Sequence, residues 1–485
     1  MGSELDAEVL IIGSGAGGAT VFERLAGAGI DVLMIEEGDW ISADQLQQPI
    51  NTRLQTLYRN AGVQPILGLP TIIYGEGRAV GGTTEVNGGL LWAPPEQVLD
   101  EWIAAGLFAG VARGELDAAF ARIERDLSVH PMELLEGADK ASSLLVAGAT
   151  ELGWTATRAR RAVRNCMRAN ECGAGCPNGA KQSMSTTHIP RGIASGGRLM
   201  PGMAVKKITA DRRRNVVHVD AMRVSDHQLI KMSARDVFLA SGALHSPALL
   251  STLHRRPRRQ RLGIHLNAKV IAEFSTPIHA RRGTIFTEQI QDFIDEGILL
   301  MATNFQPEFL SLGLSTADKQ TVTHLWSSMD SIGMYTVQTR PQSYASLATY
   351  RGKTLPTFRL AHRDKEQLIV GVCRLTQALF TAGATAVRLP LAGLPRVETL
   401  VEAERLLRSS ATRDWQLTTV HAMSSLPLGN HSHSPFGFNG QAVENPHLWL
   451  CDASALPTTV GESPQGSIML LADHVADNYL RSRSR

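Results

Sequence analysis

The run Gly13-Ser14-Gly15-Ala16-Gly17-Gly18 constrains this chain more than any other segment. It lies between a short apolar, β-branched stretch, Glu8 to Ile12, and a good helix former, Ala19 to Ala26. Asp31 to Ile35 then reads as a second buried strand and ends in Glu36, 23 positions after Gly13. That is the place for a carboxylate that binds a ribose hydroxyl. Glycines let such a turn pass close to a pyrophosphate, and the helix N-terminus adds free N–H groups and partial positive charge. A plain strand-to-helix turn would account for the glycines, but two strands, a helix and Glu36 in register predict a βαβ dinucleotide site. Gly13, Gly15, Gly18 and Glu36 are its candidate residues.

At 485 residues and 43% apolar content, the chain can bury a large core and is expected to form two intimately joined lobes. A net charge of +2 gives no general field for nucleic acid or membrane, although Arg255, Arg256, Arg258, Arg259 and Arg261 form one basic run, expected to be a solvated loop. No stretch is long and apolar enough to span a bilayer, and the acidic Met1 to Glu8 has no apolar signal region. A cytoplasmic location is the expectation. Met1-Gly2-Ser3 opens like a myristoylation signal, but Asp6 stands where that signal needs Ser or Thr.

Three further landmarks follow. Gly77 to Gly89 is too glycine-rich for a strand and, with Val80 and Val86, too apolar for a flexible linker, so it reads as backbone wrapped around a ligand. Val237 to Ala240 is strand-like and leads through Ser241-Gly242-Ala243 to a helix start at Ser246-Pro247. Near the C-terminus, Leu448 to Cys451 precedes Asp452-Ala453-Ser454. Pro464 then opens a helix with an apolar stripe at Ile468, Leu471, Val475 and Tyr479.

Together these segments resemble the glucose-methanol-choline (GMC) oxidoreductases, a family of FAD enzymes, from one end of the chain to the other. The resemblance implies an α/β fold: a discontinuous Rossmann-like FAD-binding domain plus a substrate domain built on an antiparallel sheet. The implied boundaries are 1–95, 191–263 and 430–485 for FAD, and 96–190 and 264–429 for substrate. It also implies that Arg78, Gly82, Thr83, Asn87 and Gly88 border the pyrophosphate and flavin. Gly242 belongs to the second family signature, Val205 meets the adenine through its backbone, and Asp452 and Ala453 meet the ribityl and pyrophosphate region. Thr83-Thr84-Glu85-Val86-Asn87 offers no histidine for covalent attachment, so a non-covalent flavin is expected.

Oxidising an alcohol by hydride loss needs a group to take the hydroxyl proton, and a histidine near neutrality suits the task. The family places that histidine at the start of a segment matched by His421 to Gly429, which makes His421 the base. His431 and His433 read as structural. Where the family carries Asn or His before the last helix, this chain has Ser463, which can exchange hydrogen bonds but cannot titrate. Glu462 could hold a substrate hydroxyl or amine, or cap the helix start. The helix that Pro464 opens should aim its N-terminus at the flavin.

Of five cysteines, Cys166, Cys172 and Cys176 crowd one loop. Thiolates, flanking glycines and a closing Cys-Pro predict an iron-sulfur cluster, and three ligands suit a 3Fe-4S form. The spacing is similar to that of bacterial FAD glucose dehydrogenases, in which such a cluster passes electrons to an outside acceptor or redox partner. A zinc site completed by His188, or plain free cysteines, are the alternatives. The expected reaction is FAD-dependent oxidation of a CH–OH group in a small polar alcohol, a sugar or an amino sugar. Similarity to dehydrogenases of aminoglycoside biosynthesis points to a primary alcohol. An oxidase releasing hydrogen peroxide, a redox-silent flavin lyase and a non-catalytic electron carrier are the rivals.

Overall fold

The computed structural model describes residues 4–134, 139–211, 213–254, 256–303, 306–314, 316–429 and 434–483. His431 and His433 lie outside the described residues. The N-terminal glycine run does what its pattern predicts. Strands Glu4–Ile12 and Val32–Ile35 pair in parallel, joined by helix Ala16–Gly27. Val9, Leu10 and Ile11 are 0–1% exposed, as expected of a parallel strand covered on both faces. Strand Leu229–Leu239 pairs in parallel on the other side of Glu4–Ile12, and Arg198–Met200 and Leu448–Leu450 extend the parallel part. An antiparallel pair, Val216–Arg223 and Met203–Asp211, completes this seven-stranded sheet. One sheet is therefore assembled from the N-terminal, middle and C-terminal parts of the chain, as a discontinuous Rossmann-like domain requires. Helix Gln465–Arg483 lies against Ala16–Gly27, and the predicted stripe of Ile468, Leu471, Val475 and Tyr479 is buried in their common core.

The second lobe is built on a 14-stranded sheet. At its centre, Leu266–Glu273, Ile332–Thr339, Ile298–Thr303 and Glu288–Ile290 run antiparallel in that order. Period-two alternation sorts its faces. Leu266, Ala268 and Val270 join a core with helix His362–Thr381, whose Leu368, Val372 and Leu375 are wholly buried. The intervening Asn267 and Lys269 face the other way, toward a cavity between the lobes.

The chain crosses between the lobes more often than the expected boundaries allow. Strands Gln64–Leu69, Ile72–Tyr74 and Arg258–Ile264 pair into the second sheet. Helices Glu96–Ala104 and Arg113–Asp126 instead bury Trp102, Leu116 and Ile123 in the core of the first lobe. In each case the partner that covers the apolar face is distant in sequence. No helix among the described residues is long and apolar enough to cross a membrane.

Candidate active site

A cavity of about 530 Å³ lies between the lobes, lined by Glu36 and Val205 of the first lobe and by His421, together with Ser463. The glycine turn forms one part of its wall. Gly13 sits at φ +107°, and a Cβ there would lie 2.4 Å from the Ala240 carbonyl oxygen. At Gly17 a Cβ would lie 1.9 Å from the Cys451 carbonyl oxygen, so the helix packs directly on the C-terminal strand. The Gly15 N-cap supplies no side chain to the first free N–H groups of the helix. Those donors face the cavity, which is a fit for a pyrophosphate. Glu36 braces this turn. Its carboxylate accepts from Ser14 N–H at 3.0 Å, Ser14 O–H at 2.8 Å and Gly38 N–H at 2.9 Å, while burial pushes its pKa up. Three of its roughly four acceptor sites are thus filled, leaving about one for a ribose hydroxyl. Ser14 Oγ also accepts from Gly81 N–H at 2.9 Å, mooring the second glycine-rich segment to the first.

That second segment is clasped from behind by two buried cations. Lys181 Nζ donates to the carbonyls of Glu85 at 2.6 Å, Asn87 at 3.0 Å and Cys172 at 2.8 Å. Arg161 donates to the Gly88 carbonyl at 3.0 Å and to Cys172 Sγ at 3.2 Å. The cysteine loop is pinned in turn by the ion pairs Arg53–Glu171 and Arg168–Asp139. Among the described residues, no three Cys, His, Asp or Glu side chains converge as ligands of one metal ion. His188, the candidate fourth zinc ligand, instead faces Glu23 at 3.6 Å and Thr187 at 3.2 Å, with its pKa lowered by burial to about 3. The described residues thus give no support for the expected 3Fe-4S or zinc site at Cys166, Cys172 and Cys176. The loop is held by arginine, lysine and backbone carbonyls.

Elsewhere along the cavity, two histidines meet. His421 lines the cavity, and its Nδ1 lies 3.0 Å from Nδ1 of the fully buried His265. Gly461 N–H donates to His265 Nε2 at 3.0 Å. A backbone N–H can only donate, so His265 Nε2 must accept and the His265 proton sits on Nδ1, pointing at His421 Nδ1. Neutral His421 then carries its own proton on Nε2, the nitrogen left for the cavity. Burial lowers the His421 pKa to about 4 and that of His265 well below its usual range. Both rings are neutral at physiological pH. Since a lowered histidine pKa keeps the neutral form down to lower pH, the acid limb of kcat/KM for flavin reduction is expected near pH 4 and not near 6.5. Stopped-flow profiles on protein that retains its flavin check this, and an inflection near 6.5 would contradict it.

Ser463 lines the cavity and donates to the Leu90 carbonyl at 3.3 Å, which leaves its lone pairs free to accept from a substrate hydroxyl. Glu462 does not line the cavity. It accepts from Gln291 Nε2 at 2.9 Å, and burial raises its pKa to about 7. Of the expected cofactor residues, Gly13, Gly15, Glu36, Gly82, Thr83, Asn87, Gly88, Val205, Gly242, Asp452, Ala453 and Pro464 all line the cavity. Gly18 and Arg78 do not. A Cβ at Gly18 would sit 2.0 Å from the Gly13 carbonyl oxygen, so this glycine serves packing, and Arg78 Nε lies 3.7 Å from Glu37. Asp452 is a tie as much as a contact. Its carboxylate accepts from Gly242 N–H at 2.7 Å, from Ser454 N–H at 2.8 Å and from the Ser246 hydroxyl, joining the middle signature to the C-terminal one. Sequence reasoning missed His265, Lys269 and Lys181. The alternation of polar His265, Asn267 and Lys269 with apolar Leu266, Ala268 and Val270 was the available signal for the first two. Lys181 carries none.

A parallel-start dinucleotide site joined to a histidine-bearing cavity defines an FAD-binding oxidoreductase, and the comparisons agree. The N- and C-terminal models of the GMC oxidoreductase family match residues 54–265 and 346–472. A GMC-type oxidoreductase of Sinorhizobium fredii, y4nJ, is 31% identical over 99% of this chain and 96% of its own. The long-chain-alcohol oxidase FAO3 of Arabidopsis thaliana is 22% identical over 98% of this chain and 68% of its own. Among solved structures, pyridoxine 4-oxidase from Mesorbium loti superposes with a TM-score of 0.74 at 14% identity, covering 98% of this chain and 99% of that one. Formate oxidase from Aspergillus oryzae gives 0.73 at 13% identity, covering 100% of each. The chain belongs to the GMC oxidoreductase family.

Proposed function

We propose that this protein oxidises the CH–OH group of a small alcohol to a carbonyl, with His421 as the group that manages the hydroxyl proton. The carrying observation is a histidine kept neutral by burial, its Nδ1 paired with His265, that lines the same cavity as Ser463 and the Glu36-braced glycine turn. FAD, when bound, supplies the hydride acceptor. In the resting tautomer the substrate hydroxyl donates to Ser463 while His421 Nε2–H donates to its oxygen; for reaction the hydroxyl hydrogen must turn from Ser463 to Nε2. For Nε2 to take the proton, the pair must adopt the opposite tautomer, with His421 protonated on Nδ1 and His265 on Nε2. That arrangement gives up the Gly461 hydrogen bond and leaves two buried donors, Gly461 N–H and His265 Nε2–H, facing each other, a cost of about 1–3 kcal/mol for each. That cost is comparable to the roughly 3–5 kcal/mol a positioned base is worth, so the substrate's own hydrogen bonds to His421 must help select the reactive form.

Oxygen is the acceptor this reading favours, giving hydrogen peroxide. The dehydrogenase alternative leaned on a cluster whose thiols do not converge, and the named relatives include alcohol, pyridoxine and formate oxidases. An amino-sugar substrate loses its anchor, because Glu462 faces Gln291 and not the cavity. Anaerobic mixing with a panel of alcohols should bleach the flavin absorbance, and admitting air should restore it with stoichiometric peroxide. No bleaching with any alcohol would return the lyase reading. Bleaching followed by reoxidation only with an artificial acceptor would return the dehydrogenase.

A further inference from the structure

Four strands of the second sheet turn one face to the cavity, and the residues on it are apolar or uncharged except for Lys269. Its antiparallel partner is Thr336, with Met334 and Gln338 two places to either side and Asn267 two places back along its own strand. All of these line the cavity, as do Leu299, Met301 and Thr303 of the next strand. Thr303 and Thr336 satisfy each other at 2.7 Å. Lys269 forms no hydrogen bond or ion pair among the described residues. Burial lowers its ammonium to about 8, and no carboxylate offsets that shift. The two carboxylates on these strands are engaged elsewhere, Glu273 with Arg388 and Arg396 and Glu288 with Arg158.

An ammonium held in a largely apolar cavity without a counterion is costly for the free protein, and a ligand anion that pairs with it recovers that cost. From the geometry we propose that the substrate is an anionic alcohol, whose carboxylate pairs with Lys269 while its hydroxyl lies at His421 and Ser463. This rests on the alcohol-oxidation reading and adds the substrate class. Position along the sheet sets a length. His265, in contact with His421, and Lys269 are four residues apart on extended chain, so their Cα atoms lie about 13 Å apart and the two ends of the substrate are separated by a distance of that order. That span suits an ω-hydroxy acid of medium chain, with Leu299, Met301 and Met334 against its methylenes.

The test compares ω-hydroxyoctanoate with n-octanol, matched in length and differing in charge, by anaerobic reduction of the FAD-loaded enzyme. The wild type should reach half-maximal reduction rate at a concentration at least tenfold lower with the hydroxy acid. Lys269→Met should abolish that preference and Lys269→Arg should retain most of it, each checked for full flavin content. Equal use of both substrates by the wild type, or an undiminished preference in Lys269→Met, would overturn the proposal. If neither reduces the flavin but uncharged sugars or short alcohols do, the anionic class is wrong and alcohol oxidation stands. If no alcohol of any kind reduces it, both readings fall.

Discussion

His421→Ala is expected to keep its FAD and to reduce it roughly a hundredfold or more slowly with every alcohol substrate, the usual worth of a positioned general base. Flavin retention follows because, among the described residues, the Glu36-braced glycine turn makes no hydrogen bond to His421. His265 supplies a second arm to the same experiment. It is fully buried and touches the reaction only through His421 Nδ1, so it acts as a positioning residue. His265→Leu should lose much of the rate with substrate saturation little changed, and should move the acid limb of the pH profile, because it removes the ring that hydrogen-bonds His421 Nδ1. A merely structural role would lower stability without moving that limb. Near-normal reduction in His421→Ala would place the base elsewhere among the cavity's polar residues.

The fold was legible where local pattern and tertiary demand coincide. The strand, glycine turn, strand and Glu36 of the first unit announce themselves because the turn conformation and both-face burial leave few residue types able to serve. The last helix shows its stripe for the same reason. Most of the cofactor side followed from such segments. The substrate side did not, since it is a sheet face on which chemistry and packing use one alternating pattern. Asn267 and Lys269 look in sequence like the outward residues of a half-exposed strand, and only the closure of the second lobe against the first encloses them. Glu462 misled for a related reason. One residue before Ser463 in sequence is close to the site, but the chain there directs its carboxylate to Gln291.

The cysteine loop gives the sharpest test of the physical account that replaces the cluster. Lys181→Met removes three donated hydrogen bonds at once, to the carbonyls of Glu85, Asn87 and Cys172, at a residue only 3% exposed. It also strips the buried Glu85 carboxyl, already pushed up in pKa by desolvation, of its nearest attractive charge. Leaving a buried charge or several buried acceptors without partners costs on the order of 3–5 kcal/mol. The loss falls on the segment that carries Thr83, Asn87 and Gly88 along the cavity wall, so it should appear first as lost cofactor. Lys181→Met is expected to purify with little FAD, to need at least tenfold more FAD for reconstitution, and to melt several degrees lower even when loaded. Cys166→Ser, at a thiol with no partner among the described residues, should keep its flavin and its turnover. If the loop instead owed its order to metal bound through its thiols, the ranking would invert: the serine variant would lose flavin or activity, and the methionine variant would retain both.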